Sequence, residues 1–171
     1  MNEEKYQSLY TSSINDPSEF WSEQASQNLE WIKPWDKTLI KDDEVTHAKW
    51  FVNGHLNVSS NCLDRHLIKN GDKTAIIWEG DNPEDKKKIS YRELYKEVCK
   101  FANVLKTFGV KKGDRVCVYM PNIIETAAVM LACARVGAIH SLVFGGFAAK
   151  ELSTRINHAE VQILFKPILI C

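Results

Sequence analysis

Residues 115–144 run Arg115-Val-Cys-Val-Tyr-Met120, then Pro121-Asn-Ile-Ile-Glu-Thr-Ala-Ala-Val-Met-Leu-Ala-Cys-Ala-Arg-Val-Gly137, then Ala138-Ile-His-Ser-Leu-Val-Phe144. After Arg115 the first stretch is apolar without alternation and stops at a proline, which reads as a strand covered on both faces. The middle stretch, from about Ile123 to Val136, is apolar almost all round, so it reads as a helix needing cover on more than one side. Gly137 fits its left-handed end. Ala138 to Phe144 reads as a second buried strand. A strand, a helix and a strand of these lengths imply a right-handed crossover joining parallel neighbours.

The same pattern extends outward. Downstream, Gly145-Gly146 leads into a helix from Phe147 to about Asn157, and Val161 to Phe165 reads as one more strand. Upstream, Ser90-Tyr-Arg-Glu93 is a capping box. Behind it Leu94, Tyr95, Val98, Phe101, Ala102 and Leu105 recur at helical spacing. Gly109 ends that helix, and Lys111-Lys-Gly-Asp114 turns the chain into the strand at Arg115. Ala75 to Trp78 and Lys86 to Ser90 read as two further strands, with Lys86, Lys87 and Lys88 as a solvated turn. The expected class is α/β: a helix-and-loop leader followed by the first βα units of a mainly parallel sheet. The leader occupies residues 1–70, the regular α/β region 71–160, and a divergent tail 161–171.

In the leader, Asp16-Pro17-Ser18-Glu19 starts a helix reaching about Leu29. Trp31-Ile-Lys-Pro34-Trp35-Asp36 cannot continue it, and is expected to wrap over another surface instead of forming a core of its own. Trp50-Phe-Val52 reads as a short strand, and Asn57 caps a helix reaching Leu67. Trp31, Trp35 and Trp50 are expected to anchor the leader to the body of a larger protein.

Lysine plus arginine equals aspartate plus glutamate, at 22 each, so no global field recruits nucleic acid or an acidic membrane surface. Cysteines 62, 99, 117, 133 and 171 include no CxxC pair, and they read as small core residues in a reducing compartment, with no metal site. Met1-Asn-Glu-Glu-Lys5 has no apolar stretch behind it, and the apolar run Ala127–Ala134 is too short to span a bilayer. The expected location is cytoplasmic.

Several strings in order carry a resemblance: Ser13-Ile-Asn-Asp-Pro-Ser-Glu-Phe-Trp21, Trp31-Ile-Lys-Pro-Trp-Asp36, Trp50-Phe-Val-Asn-Gly-His-Leu-Asn-Val58 and Asn61-Cys-Leu-Asp-Arg-His66. They continue through Ala75-Ile-Ile-Trp-Glu-Gly-Asp81, Ile89-Ser-Tyr-Arg-Glu-Leu94, Gly109-Val-Lys-Lys-Gly-Asp114 and Val143-Phe-Gly-Gly-Phe147. Together they resemble the opening of acetyl-CoA synthetase, an adenylate-forming enzyme. Ser60 and Ala148 stand where that family usually has a larger residue and a serine, and the wording breaks down after about Ala159. The resemblance implies activation of acetate with ATP and Mg²⁺ to acetyl-AMP, then attack by CoA. It also implies that the family's phosphate loop, ribose-binding aspartate and catalytic lysine lie beyond residue 171. No Gly/Ser/Thr-rich phosphate loop ending in lysine occurs in the chain. The expectation is therefore a truncated ligase, inactive alone. The alternative is a non-catalytic α/β binding or interaction module of the same family.

One candidate site remains, Gly145, Gly146 and Phe147. It lies where a strand's carboxyl end meets a helix, the place open α/β sheets put ligands. The resemblance implies that this loop lines the CoA entrance; equally, two glycines can make a tight strand-to-helix turn. His140 reads as a core or edge histidine, and Asp64-Arg65-His66 as a structural ion-pair cluster. Arg155 is expected to pair with Glu151 four residues back. Self-association through an uncovered sheet edge is expected.

Overall fold

The computed structural model describes residues 2–41 and 48–166. Within the tail, residues 167–171, including the apolar stretch 168–170, lie outside the described residues. The chain forms two compact units, Met1–Leu56 and Asn57–Cys171.

In the first unit, helix α1 (Glu3–Asn15) follows Asn2, whose side-chain oxygen accepts from Lys5 N at 3.1 Å, and none of its residues is buried. The sequence reading assigned nothing here, although Tyr6, Leu9, Tyr10 and Ile14 recur at helical spacing. Helix α2 (Pro17–Asn28) begins as expected at Asp16, which accepts from Glu19 N at 3.0 Å. Strands β1 (Lys37–Ile40) and β2 (Lys49–Val52) pair antiparallel, with Leu39 opposite Trp50. The 31–36 stretch gathers an aromatic cluster whose rings stay partly exposed. Trp31 packs on Trp35 at 4.7 Å between ring centroids, and Phe51 lies 5.4 and 5.1 Å from the two rings. The indole N–H groups are satisfied nearby: Trp31 donates to the Ala25 carbonyl at 3.1 Å and Trp35 to Thr38 Oγ1 at 2.9 Å. Each indole therefore has a local partner at its polar end as well as its faces.

In the second unit, Asn57 caps α3 (Val58–Cys62) by accepting from Ser60 N at 3.1 Å. The expected single helix to Leu67 is broken into α3, a 3-10 turn at Asp64–His66, and α4 (Leu67–Asn70). The break falls at Leu63, which leaves helical dihedrals with its side chain almost wholly buried. Asp64 then turns toward the Arg135 guanidinium. Strands β3 (Thr74–Glu79) and β4 (Lys86–Ser90) form an antiparallel hairpin separate from the parallel sheet. The lysines at 86–88 are exposed residues of β4, and the turn is at 81–85. A mainly parallel arrangement thus holds only for the later strands, since a short hairpin connection cannot join parallel neighbours.

Helix α5 (Tyr91–Thr107) starts at the Ser90–Glu93 capping box and buries Leu94, Val98, Ala102 and Leu105. Strand β5 (Arg115–Met120) is the middle strand of a parallel sheet, flanked by β6 (Ile139–Phe144) and β7 (Ile163–Phe165). Between β5 and β6 runs α6 (Ile124–Val136), closed by Gly137 at φ 79°. As its apolar circumference requires, α6 touches α3, α5, β5 and β6. Val98, Leu105, Val116, Val118, Val129 and Cys133 form the fully buried centre. Helix α7 (Ala149–Ala159) connects β6 to β7. The architecture is α/β, but β6 is not the buried strand expected: only Val143 is buried, and Ile139, Leu142 and Phe144 are about half exposed. It lies at the edge of the described sheet, with β5 on one side only, although α6 touches it.

Candidate functional site

The carboxyl ends of β5 and β6 lie side by side, Met120 paired with Phe144. From β5 the chain enters α6 through Pro121–Ile123, where Thr126 Oγ1 donates to the Pro121 carbonyl at 2.7 Å. From β6 it turns through Gly145 and Gly146, closed by Phe147 N donating to the Phe144 carbonyl at 3.1 Å. The two glycines are not among those with positive φ, which are Gly109, Gly113 and Gly137. Their small size answers close approach. A Cβ on Gly145 would meet Pro121 N at 3.2 Å, and one on Gly146 would meet the Phe144 ring at 2.8 Å.

Two contacts fix Phe147, which stays partly exposed. Its ring meets Phe144 edge-on at 6.5 Å, and the Arg155 guanidinium lies 5.0 Å over its face. Arg155 therefore stacks on an aromatic ring, where pairing with Glu151 was expected. Tyr119, at the end of β5, places its hydroxyl 2.9 Å from both the Gly145 and the Phe147 carbonyl oxygens. The sequence reading missed Tyr119. Its signal was a single phenol in an otherwise apolar strand, a group that seeks a partner for its polar end.

The remaining candidates are dispersed. His140 is exposed on β6, so it is an edge histidine. Asp64 pairs with Arg135, Arg65 donates to Asn61 Oδ1 at 3.2 Å, and the His66 ring lies 5.5 Å from Tyr91. The cluster is structural, but its ion pair reaches across to α6. Arg135 also lies 5.1 Å over the Tyr95 ring, while a hydrogen bond with Cys99 raises the Tyr95 phenol above its ordinary value.

The cysteines separate by environment. Cys117 and Cys133 are buried, and burial pushes the Cys133 thiol up to about 11. Cys62 is exposed, contrary to its reading as a core residue, because it occupies the outer side of a helix only five residues long. Among the described residues no group of three or more His, Cys, Asp or Glu side chains could hold a metal ion. Among the described residues, too, no helix is long and apolar enough to cross a membrane.

Two family profiles divide the chain. The acetyl-coenzyme A synthetase N-terminus matches residues 6–62, and AMP-binding enzyme matches residues 63–169, running into the stretch 161–171 set apart above. The acetyl-coenzyme A synthetase of Magnetococcus marinus is 57% identical over 96% of this chain. Acetyl-coenzyme A synthetase 2 of Pseudomonas aeruginosa is 53% identical over 95%. The counterpart from Pseudomonas putida is 54% identical over 93%. The chain spans about a quarter of the length of these relatives, 26%, 25% and 24% respectively. With both profiles in sequence along one chain, and α/β units where the second of them falls, the chain belongs to the AMP-binding enzyme family, and its first part is similar to the N-terminus of acetyl-coenzyme A synthetases.

Proposed function

We propose that this chain is part of an acetate–CoA ligase that forms acetyl-CoA, AMP and diphosphate from acetate, ATP and CoA through acetyl-AMP. The observation that carries this reading is the 57% identity to the Magnetococcus marinus enzyme across nearly the whole chain. In it, residues 1–70 form the leader, 71–160 begin the synthetase domain, and the Gly145–Phe147 loop faces CoA in the cytoplasm. When bound, Mg²⁺·ATP supplies the leaving diphosphate and the charge neutralisation that adenylation needs. The residues of this chain shape the rim at the carboxyl ends of β5 and β6 and exclude water beneath it. Alone, the chain has no Gly/Ser/Thr-rich phosphate loop ending in lysine, and on this reading it carries out neither half-reaction.

A chimera tests the reading: this chain replaces the matching segment of the Magnetococcus marinus enzyme, and acetate-dependent AMP release is measured. Activity within about tenfold of the parent is expected. A folded chimera with no activity overturns the proposal, and AMP release by the isolated chain overturns its inactivity. The alternative, a non-catalytic module, is favoured by one observation: the second unit has a continuous buried core. It gains if the isolated chain melts cooperatively as a monomer.

A further inference from the structure

Within the second unit, β4, α5 and α6 border a cleft of about 370 Å³. Its floor is apolar: Ile89, Ile124 and Ala128 are buried core residues, and Phe101 packs against the same core. Glu93, Glu97 and Phe101, each four residues on from the last, set one side of α5 along it. Ligand pockets begin at roughly 300 Å³. At about 30 Å³ for each water-sized group, the cleft holds on the order of twelve non-hydrogen atoms.

The rim is charged, and its charges are unevenly satisfied. Glu93 Oε2 accepts from Ser90 N at 2.8 Å and from Ser90 Oγ at 2.7 Å, and Glu97 accepts from Lys100 Nζ at 2.7 Å. On β4, Lys86 pairs with Glu79 at 3.6 Å. Lys87, Lys88 and Lys96 line the cleft and are exposed, and among the described residues none of the three forms an ion pair. The Ser90 hydrogen bonds, with Lys96 and Lys87 acting at longer range, hold the Glu93 carboxyl below its ordinary value, so the charge of these lysines is felt at the cleft. Glu125, in the first turn of α6, is the remaining rim carboxylate. Lys87, Lys88, Lys96 and Lys100 against Glu93, Glu97 and Glu125 leave an excess of one positive charge. An apolar floor under such a rim matches a molecule with an apolar body and a single negative head. Lysine stems reach that head while leaving it in water, so its charge need not be buried.

We infer that the cleft between β4, α5 and α6 binds a medium-chain aliphatic carboxylate, its alkyl chain over Ile89, Phe101, Ile124 and Ala128 and its head between Lys87, Lys88 and Lys96. The cleft shares no residue with the Gly145–Phe147 loop, so the inference stands or falls independently of the ligase reading.

The experiment uses the full chain labelled with ¹⁵N, with octanoate as the probe. Octanoate is expected to shift the amide signals of Ile89, Phe101, Ile124 and Ala128. From acetate to octanoate, affinity should rise by up to about fourfold for each methylene added. Octylammonium, with the same chain and the opposite charge, should bind at least about tenfold more weakly. The triple variant Lys87→Gln/Lys88→Gln/Lys96→Gln removes charge at exposed positions and should weaken octanoate about tenfold. Lys106→Gln/Lys150→Gln, outside the cleft, should bind as wild type does. Shifts confined to β6, equal affinity for acetate and octanoate, octylammonium binding as tightly as octanoate, or wild-type affinity in the folded triple variant would each overturn the inference. Should the triple variant lose its fold, the comparison of octanoate with octylammonium decides by itself.

Discussion

Strands β5 and β6 are six residues each, run parallel side by side, and are almost equally apolar in composition. Val116, Cys117, Val118 and Met120 of β5 are buried, while β6 buries only Val143. Their register makes the contrast sharper: Val118, fully buried, is paired with Leu142, which is 48% exposed. Paired residues point to the same side of a sheet, so composition does not separate the two. What separates them is cover. Among the described residues β5 has a neighbour on each edge, whereas β6 has one, and α7 meets β5 in addition to the α6 that touches both strands. The described chain therefore flanks β5 on both edges and β6 on one.

One substitution made on each strand tests this most severely. Val118→Asp puts an unpaired carboxylate in the core and is expected to remove more than about 4 kcal/mol, abolishing the cooperative melt followed by circular dichroism. Leu142→Asp at its register partner is expected to cost less than about 0.5 kcal/mol. Equal costs would show that the β6 face is covered in solution, and a cost that grows with protein concentration would identify a second copy as the cover.

A smaller effect reads the burial of α6 through pH. The Cys133 thiol is raised from 9.0 to about 11 by burial. A raised value means that the unfolded chain gives up this proton first. The contribution is fully present below pH 9 and is lost as pH rises toward 11, on the order of 2 kcal/mol in total. Urea melts at pH 8 and pH 10.5 should show the loss in wild type and less of it in Cys133→Ala. An equal loss in both would mean that other groups dominate the alkaline limb.

The smallest effect is local. Ser90→Ala removes the side-chain half of the capping box, in which Ser90 Oγ accepts from Glu93 N at 3.2 Å and donates to Glu93 Oε2 at 2.7 Å, and leaves Ser90 N donating to Glu93 Oε2 at 2.8 Å. The expected cost is about 1 kcal/mol in the melt. Those hydrogen bonds hold the Glu93 carboxyl below its ordinary 4.5. Its contribution is present above that value and disappears as pH falls through the lowered one, so the Ser90→Ala cost should shrink in acid. A cost independent of pH would assign the effect to the serine alone.

Much of the second unit was legible because its signals are local. The Ser90 box, the α5 stripe, Gly137, the extent of β5 and the end of β7 all follow from neighbours in sequence. Misread features depended on partners distant in the chain. The helix after Asn57 breaks because Leu63 is buried and Asp64 meets Arg135, 71 residues away. The β3–β4 pairing and the exposure of β6 are likewise matters of which surface lies opposite. In the first unit, Trp31 and Trp35 pack on each other and on Phe51 while remaining partly exposed, and Trp50 is 42% exposed. At the candidate loop, the glycine pair was visible, whereas the phenol that grips it lies on another strand. Its role follows from parallel pairing, which places Tyr119 opposite Val143, just before the turn.

Asn57 carries a consequence for how the chain is made. Its side-chain oxygen starts α3, while its amide nitrogen donates to the Ala134 carbonyl at 3.0 Å, 77 residues later. On a ribosome, Asn57 emerges long before the helix end it will close. Through that interval α3 is a five-residue helix with no partner, too short to persist by itself. Docking of α3 must therefore wait for the last turn of α6 to leave the exit tunnel, and the far edge of β5 waits longer still for β7. A pause in translation between those two points would hold a nascent chain with α6 capped and β5 open, the interval in which a chaperone has most to cover.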